Sequence, residues 1–73
     1  MIQVGSQGAE VTAWQEYLSG LDYNVSVDGI FGTGTKTATI EFQKWCKIDA
    51  DGIVGETSYS WASENGYKGG YTH

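Results

Sequence analysis

Few side chains in this sequence have the types and spacing that catalysis requires. The one histidine is the terminal residue His73, and the one cysteine, Cys46, has no histidine near it in the sequence. A catalytic nucleophile needs a base beside it, and a zinc site needs three or four ligands. We therefore expect no nucleophilic enzyme, no zinc site and no cofactor. Cys46 is interpreted as a buried, inert thiol on the core face of a helix.

Paired carboxylates are the remaining candidates for acid–base chemistry. Asp28 could act with Asp51 or Glu41 as the acid and nucleophile of a glycosidase. Both aspartates, however, stand in the same motif, Asp-Gly-Ile-x-Gly, which occurs at 28–32 and again at 51–55. An acid and a base need different environments to separate their pKa values, whereas a repeated motif predicts the same environment twice. The sequence therefore predicts that this chain is not an enzyme.

A calcium site is a second possibility at the later motif, since 49–52 (DADG) resembles part of a calcium-binding loop. The turn glycine of such a loop is its sixth residue. In that register Lys47 is first and Ser58 twelfth, and the earlier motif has Asn24 and Thr35 at these positions. The first position needs a carboxylate and the twelfth a glutamate, so we expect no metal site.

Helical periodicity surrounds both motifs. Before the first motif the apolar residues recur in steps of three and four, at Val11, Trp14, Leu18 and Leu21. This spacing predicts a helix over 7–19, with Ser6 as its N-cap. The same spacing predicts a second helix after the first motif, with its core face at Thr35, Ala38, Phe42 and Trp45 or Cys46. A third helix is predicted near 57–64.

The remaining segments are predicted to be turns, loops and a tail. Residues 20–34 contain four glycines and predict a structured loop or a very short strand. In each motif the aspartate should bond the amide two residues on, the glycine should take a positive φ, and the next two residues should point into the core. Asn65-Gly66 is expected to end the third helix, and 67–73 to form a flexible tail.

An aromatic–glutamine pair precedes each motif, Trp14-Gln15 before the first and Phe42-Gln43 before the second. We interpret this arrangement as an internal repeat. The predicted fold class is all-α, a small three-helix bundle built from a duplicated helix-plus-turn unit, with 1–66 as its single domain.

Charge and hydropathy exclude several kinds of partner. The chain of 73 residues has four lysines, no arginine and nine acidic residues, which gives a net charge of −5. Such a surface repels the phosphates of nucleic acids and anionic membranes. No apolar run approaches the roughly 20 residues of a membrane-spanning helix, and no signal peptide is visible.

The order of these features resembles the peptidoglycan-binding domain, a three-helix module of bacterial cell-wall hydrolases and phage lysins. The resemblance runs from residue 4 to about residue 62 through the segments 4–23, 27–43 and 51–55. Asp22 and Lys47 stand where the family usually has glycine, and Thr39 stands where it usually has valine.

The resemblance implies non-catalytic binding of peptidoglycan, through its glycan strand, its stem peptide or both, which anchors an associated hydrolase or phage component to the wall. A monomer at the cell wall, in the periplasm or at the extracellular face is expected. The contacts it suggests lie in a shallow groove, and the candidate ligand-binding residues are Asp28, Gly29, Asp51, Gly52, Tyr17 and Trp45. The alternative is that the aspartates only build the turns and that both rings only cover the edge of the core.

A different function on the same scaffold is a protein-interaction adaptor of a phage or secretion component. The aromatic residues that could form such an interface are Tyr17, Tyr59, Trp61, Tyr67 and Tyr71.

Overall fold

The computed structural model describes residues 1–64, which form three helices joined by two irregular connections. The helices are α1 (Ala9–Gly20), α2 (Thr33–Cys46) and α3 (Glu56–Glu64). Within these 64 residues there is no strand, so the predicted all-α three-helix fold is confirmed. No helix in the described part of the chain is long and apolar enough to cross a membrane. The predictions for Asn65-Gly66 and for 67–73 lie outside the described residues.

Three aromatic rings, one from each helix, meet at the centre of the core. The ring of Trp14 lies 5.5 Å from Phe42 and 5.8 Å from Tyr59, with interplanar angles of 83° and 81°. All three residues are almost completely buried. The indole Nε1 of Trp14 donates to Thr39 Oγ1 at 3.0 Å, so a hydroxyl pairs with a buried N–H where the resembled family usually has valine. Edge-to-face aromatic packing therefore joins the three helices.

The segment before α1 contains a turn at residues 4–5 and is bonded to both Asp-Gly-Ile-x-Gly motifs. The amide of Ile2 donates to Val54 O at 3.0 Å, and the Val54 amide donates back to Ile2 O at 2.8 Å. Further along, the Gly5 amide donates to Phe31 O and the Gly8 amide to Gly29 O, each at 3.0 Å. The described residues form only isolated bridges here, at Ile2 and at Gln7, so the very short strand considered for 20–34 is absent.

These bonds explain why α1 begins later than predicted. The N-cap is Gly8, with φ 117°, and not Ser6. The Ser6 hydroxyl instead accepts from the Gln3 amide at 3.1 Å. Since the amides of Gly5 and Gly8 are bonded to the first motif, the backbone up to Gly8 is held outside the helix, which starts at Ala9. The preference of serine for an N-cap is local and is overridden by these long-range contacts.

Two apolar residues lie differently from their predicted positions. Leu21 is exposed because α1 ends at Gly20 and the chain turns away at Asp22, where φ is 69°. Ile30 is 51% exposed, and the core residue of the first motif is Phe31, next along the chain. The prediction that Leu21 and Ile30 are core residues is therefore wrong.

On α2 the core position is Cys46, which is buried, while Trp45 beside it is 69% exposed. The helix ends at Cys46, and its C-cap residue Lys47 is in the left-handed conformation, with φ 61°. Burial raises the pKa of the Cys46 thiol, which stays protonated at neutral pH. The interpretation of Cys46 as a buried thiol is confirmed.

Candidate functional site

The first turn, residues 28–32, is held by the buried side chain of Gln15 from α1. Gln15 Nε2 donates to Asp28 Oδ1 at 3.0 Å, to Ile30 O at 2.9 Å and to Thr35 Oγ1 at 3.0 Å. Its Oε1 accepts from the amides of Asp28 at 3.0 Å and Gly29 at 2.8 Å. One amide group thus binds the backbone of the turn, its carboxylate and the first turn of α2.

The second turn, residues 51–55, is held in the same manner by Gln43 from α2. Gln43 Nε2 donates to Asp51 Oδ1 at 3.3 Å, to Ile53 O at 2.9 Å and to Ser58 Oγ at 3.1 Å. Its Oε1 accepts from the Gly52 amide at 3.0 Å. The hydroxyl partner again lies in the following helix, which fixes α3 against the turn. The internal repeat itself stays an interpretation of the sequence.

Each turn aspartate bonds the amide two residues on, as predicted. Asp28 Oδ1 accepts from the Ile30 amide and Asp51 Oδ1 from the Ile53 amide, both at 3.0 Å. The Ile30 amide and the Gln15 side chain lower the pKa of Asp28 below its ordinary value of 3.8, so this carboxylate is charged at neutral pH. Both aspartates are exposed, and each accepts its bonds from the glutamine and from the turn amide through Oδ1. The other carboxylate oxygen can therefore accept from a ligand.

The two turn glycines are needed for the backbone conformation of the turns. Gly29 and Gly52 have φ values of 76° and 75°, which L side chains rarely adopt. A Cβ on Gly29 would lie 3.0 Å from Thr12 Oγ1, and one on Gly52 would lie 2.9 Å from Lys36 Cγ. Gly52 is buried, so of the four predicted turn residues the aspartates offer the exposed polar groups.

Each turn borders a cavity. The first cavity, of about 290 Å³, includes Asp28 and Thr35 in its lining, and the second, of about 200 Å³, includes Asp51 and Ser58. The structure thus places the predicted residues Asp28 and Asp51 in two different cavities.

The two predicted aromatic contacts line neither cavity. Tyr17 is half-buried on α1, with its ring 5.6 Å from Trp14 and edge-on to Phe42 at 5.8 Å. Burial raises the pKa of its hydroxyl. Tyr17 therefore covers the edge of the core, whereas Trp45 presents most of its ring to solvent on α2. Tyr59, considered for an adaptor interface, is buried and cannot form one, while Trp61 is 40% exposed.

Sequence reasoning noticed Gln15 and Gln43 but assigned them no role, and it missed the hydroxyls that they bond. The spacing of those hydroxyl residues from the turn aspartates could have identified them. Thr35 lies seven residues after Asp28, and Ser58 lies seven residues after Asp51. Among residues 1–64 no group of three or more histidine, cysteine or acidic side chains could hold a metal ion.

A small helical domain with two rigid, exposed turns beside open cavities has the form of a binding module. The chain belongs to the family described as "Putative peptidoglycan binding domain", whose model matches residues 7–60. This is a family of binding domains, in agreement with the prediction that the chain is not an enzyme.

Three relatives support this assignment. The chain is 39% identical over 59 residues to a spore cortex-lytic enzyme of Oceanobacillus iheyensis. This alignment covers 80% of the chain and 21% of the enzyme. A peptidoglycan-binding protein from Clostridioides difficile superposes with a TM-score of 0.81 at 41% identity, over 84% of this chain and 39% of that one. The N-terminal domain of SleB superposes with a TM-score of 0.83 at 32% identity, over 88% of this chain and 89% of that domain. The chain thus spans about a fifth of the curated enzyme that it matches.

Proposed function

We propose that this domain binds bacterial peptidoglycan without cutting it and holds an attached cell-wall hydrolase, or a phage component, against the wall. The observation that carries the proposal is the family match over residues 7–60. The chain matches only 21% of a spore cortex-lytic enzyme. In that relative the matching region is therefore one part of a longer lytic protein, which supports a partnership with a lytic domain. The domain acts as a monomer at the wall-facing side of the envelope.

The contacts are assigned to the two turns and to the exposed ring on α2. The carboxylates of Asp28 and Asp51 accept hydrogen bonds from the polymer, while Gly29 and Gly52 keep the turns in the conformation that presents them. Trp45 has 69% of its surface exposed and can cover a sugar face or a stem peptide. Tyr17 contributes at most the exposed part of its ring.

Hydrogen bonds and shape, rather than global attraction, provide the affinity. The chain has a net charge of −5. Peptidoglycan also carries carboxylates, so the charges of the two partners do not favour association overall. Open cavities desolvate little of a ligand, so each contact is weak, and attachment to a polymer with many copies of the site raises the effective strength.

Co-sedimentation with purified peptidoglycan sacculi, at low and at high salt, tests the proposal. We expect the domain to pellet under both conditions, as a known wall-binding protein does. The variant Asp28→Asn/Asp51→Asn keeps an oxygen for each turn bond and loses the charge, so it should stay folded and pellet less. Asp22→Asn is the matched control, because this exposed aspartate lies outside both cavities.

Failure of the unmodified domain to pellet would exclude wall binding and favour the adaptor function. Among the described residues, that alternative relies on Trp61, which is 40% exposed, and on the exposed part of the half-buried Tyr17. Sedimentation of the purified domain over a range of concentrations separates the two functions, since the proposed wall-binding monomer shows no self-association.

A further inference from the structure

The two cavities have corresponding linings built on the two turns. In each cavity the turn aspartate, the residue two positions later and the residue seven positions later are all in the lining. These residues are Asp28, Ile30 and Thr35 in the first cavity, and Asp51, Ile53 and Ser58 in the second. In both turns one buried glutamine bonds a group of each of the three residues. Both cavities therefore have the same rigid frame.

The two cavities are nevertheless separate. They have no lining residue in common, and their glutamines come from different helices, Gln15 from α1 and Gln43 from α2. Given the proposed function, we infer that each cavity is a subsite of its own, so that one domain binds peptidoglycan at two points with two different groups of the polymer.

The first cavity suits a neutral group with several hydrogen-bonding atoms. Its polar side chains are those of Asn24, Ser26 and Thr35 around the single carboxylate of Asp28. An amide, two hydroxyls and one carboxylate match the hydroxyl and acetamido groups of a glycan. We assign the first cavity to the glycan strand.

The second cavity suits an aliphatic chain that ends in an ammonium group. Asp49, Asp51 and Glu56 contribute three carboxylates to its lining, and Ile48 and Ile53 contribute apolar surface. Among residues 1–64 no group of three or more acidic side chains could hold a metal ion, so these three carboxylates do not form a metal site. Carboxylates spread around apolar walls fit the free amino group of the diamino acid in a stem peptide.

Two-point attachment has a measurable consequence for affinity. The described part of the domain measures 25 × 23 × 21 Å, so one polymer segment can reach both cavities. When both points are engaged, the second contact forms intramolecularly, and the affinity for the polymer should exceed that for either fragment by about a hundredfold or more.

Amide chemical-shift titrations of the full chain test the inference. The probes are an oligomer of N-acetylglucosamine and a synthetic stem peptide with a free diamino-acid side chain. We expect the oligomer to shift the amides of Gly29 and Ile30, and the peptide to shift those of Gly52 and Ile53. Acetylation of the side-chain amine should abolish the peptide's shifts. Asp28→Asn should remove only the first response, Asp51→Asn only the second, and Asp22→Asn neither.

Several outcomes would overturn the inference while leaving wall binding intact. They are shifts from both probes at one turn, loss of both responses in either single variant, or no shift at either turn in a domain that pellets with sacculi. A domain that does not pellet at all would overturn the proposed function, and this inference with it. A thermal unfolding curve for each variant establishes that a lost response is not a loss of folding.

Discussion

Gln15 holds Asp28 at two points, because its Nε2 donates to Asp28 Oδ1 and its Oε1 accepts from the Asp28 amide, both at 3.0 Å. The same Oε1 accepts from the Gly29 amide at 2.8 Å. A carboxylate on the surface is thereby fixed by a fully buried side chain of another element. The position of the proposed ligand-binding oxygen is thus set from inside the core and does not depend on the loop alone.

Replacement of Gln15 should therefore destabilise the whole domain. Gln15→Leu keeps an apolar side chain in the core but leaves the turn amides and the Thr35 hydroxyl without this partner. Each buried group left unsatisfied costs about 1–3 kcal/mol, so we expect a loss of about 3 kcal/mol in the free energy of unfolding. Urea denaturation measures it. Gln3→Leu, an exposed site, is the control, and equal midpoints for the two variants would contradict the role assigned to Gln15.

Lys47 should be a site where glycine stabilises the protein. Its φ of 61° is costly for a residue with a Cβ, and glycine removes that cost. We expect Lys47→Gly to raise the free energy of unfolding by about 0.5–1 kcal/mol, after the greater entropy of glycine in the unfolded chain is subtracted. Lys44→Gly, an exposed position inside α2, should lower it by about 0.5–1 kcal/mol. Thermal denaturation measures both changes, and a change in stability of the same sign in Lys47→Gly and Lys44→Gly would contradict the prediction.

The two aromatic residues proposed as contacts should differ in how much they contribute to the free energy of unfolding. Tyr17 packs on Trp14 and Phe42, so Tyr17→Ala should cost about 2–3 kcal/mol in the free energy of unfolding. Trp45 is 69% exposed, and Trp45→Ala should change that free energy by less than about 0.5 kcal/mol. If Trp45 contacts the polymer, its variant loses affinity for sacculi at unchanged stability. Unchanged affinity would remove Trp45 from the site.

Asp28 should contribute to acid denaturation. Its folded pKa lies below the ordinary value of 3.8, because the Ile30 amide and Gln15 bond the charged form. The unfolded chain therefore binds a proton more readily, and the stabilisation, complete well above pH 3.8, is lost as the pH falls through the folded pKa. Stability should fall less steeply below about pH 5 in Asp28→Asn than in the unmodified chain. Urea midpoints at a series of pH values measure the slopes, and equal slopes would contradict the prediction.

The helices were largely predictable from the sequence, because burial of apolar side chains leaves a periodic pattern. Val11, Trp14 and Leu18 lie on one face and are completely buried. The pattern could not choose between the adjacent apolar residues Ile30 and Phe31, since hydrophobicity alone does not say which one faces inward. Contacts with the segment before α1 decide that orientation, and they join residues distant in sequence.

Only the exposed residues of the site were predictable from the sequence. Asp28 and Asp51 stood out because a repeated Asp-Gly pair is a turn signal. Gln15 and Gln43 stood out only as members of the repeat, and their role as buried partners of the turns did not, since apolar periodicity does not detect an amide group that is buried and bonded. Cavities form only where distant segments meet, so their linings could not be deduced from local motifs.

The paired backbone bonds between Ile2 and Val54 also have a consequence for the order of folding. They join residues that are 54 − 2 = 52 positions apart, and closure of so long a loop is entropically unfavourable before the intervening helices form. Segment 2–8 should therefore dock late, against α1, α2 and the turn before α3. Because both turns are bonded to this segment, they should become ordered in the same cooperative step. A partly folded chain would then lack both proposed wall contacts, and a folded chain would acquire the two together.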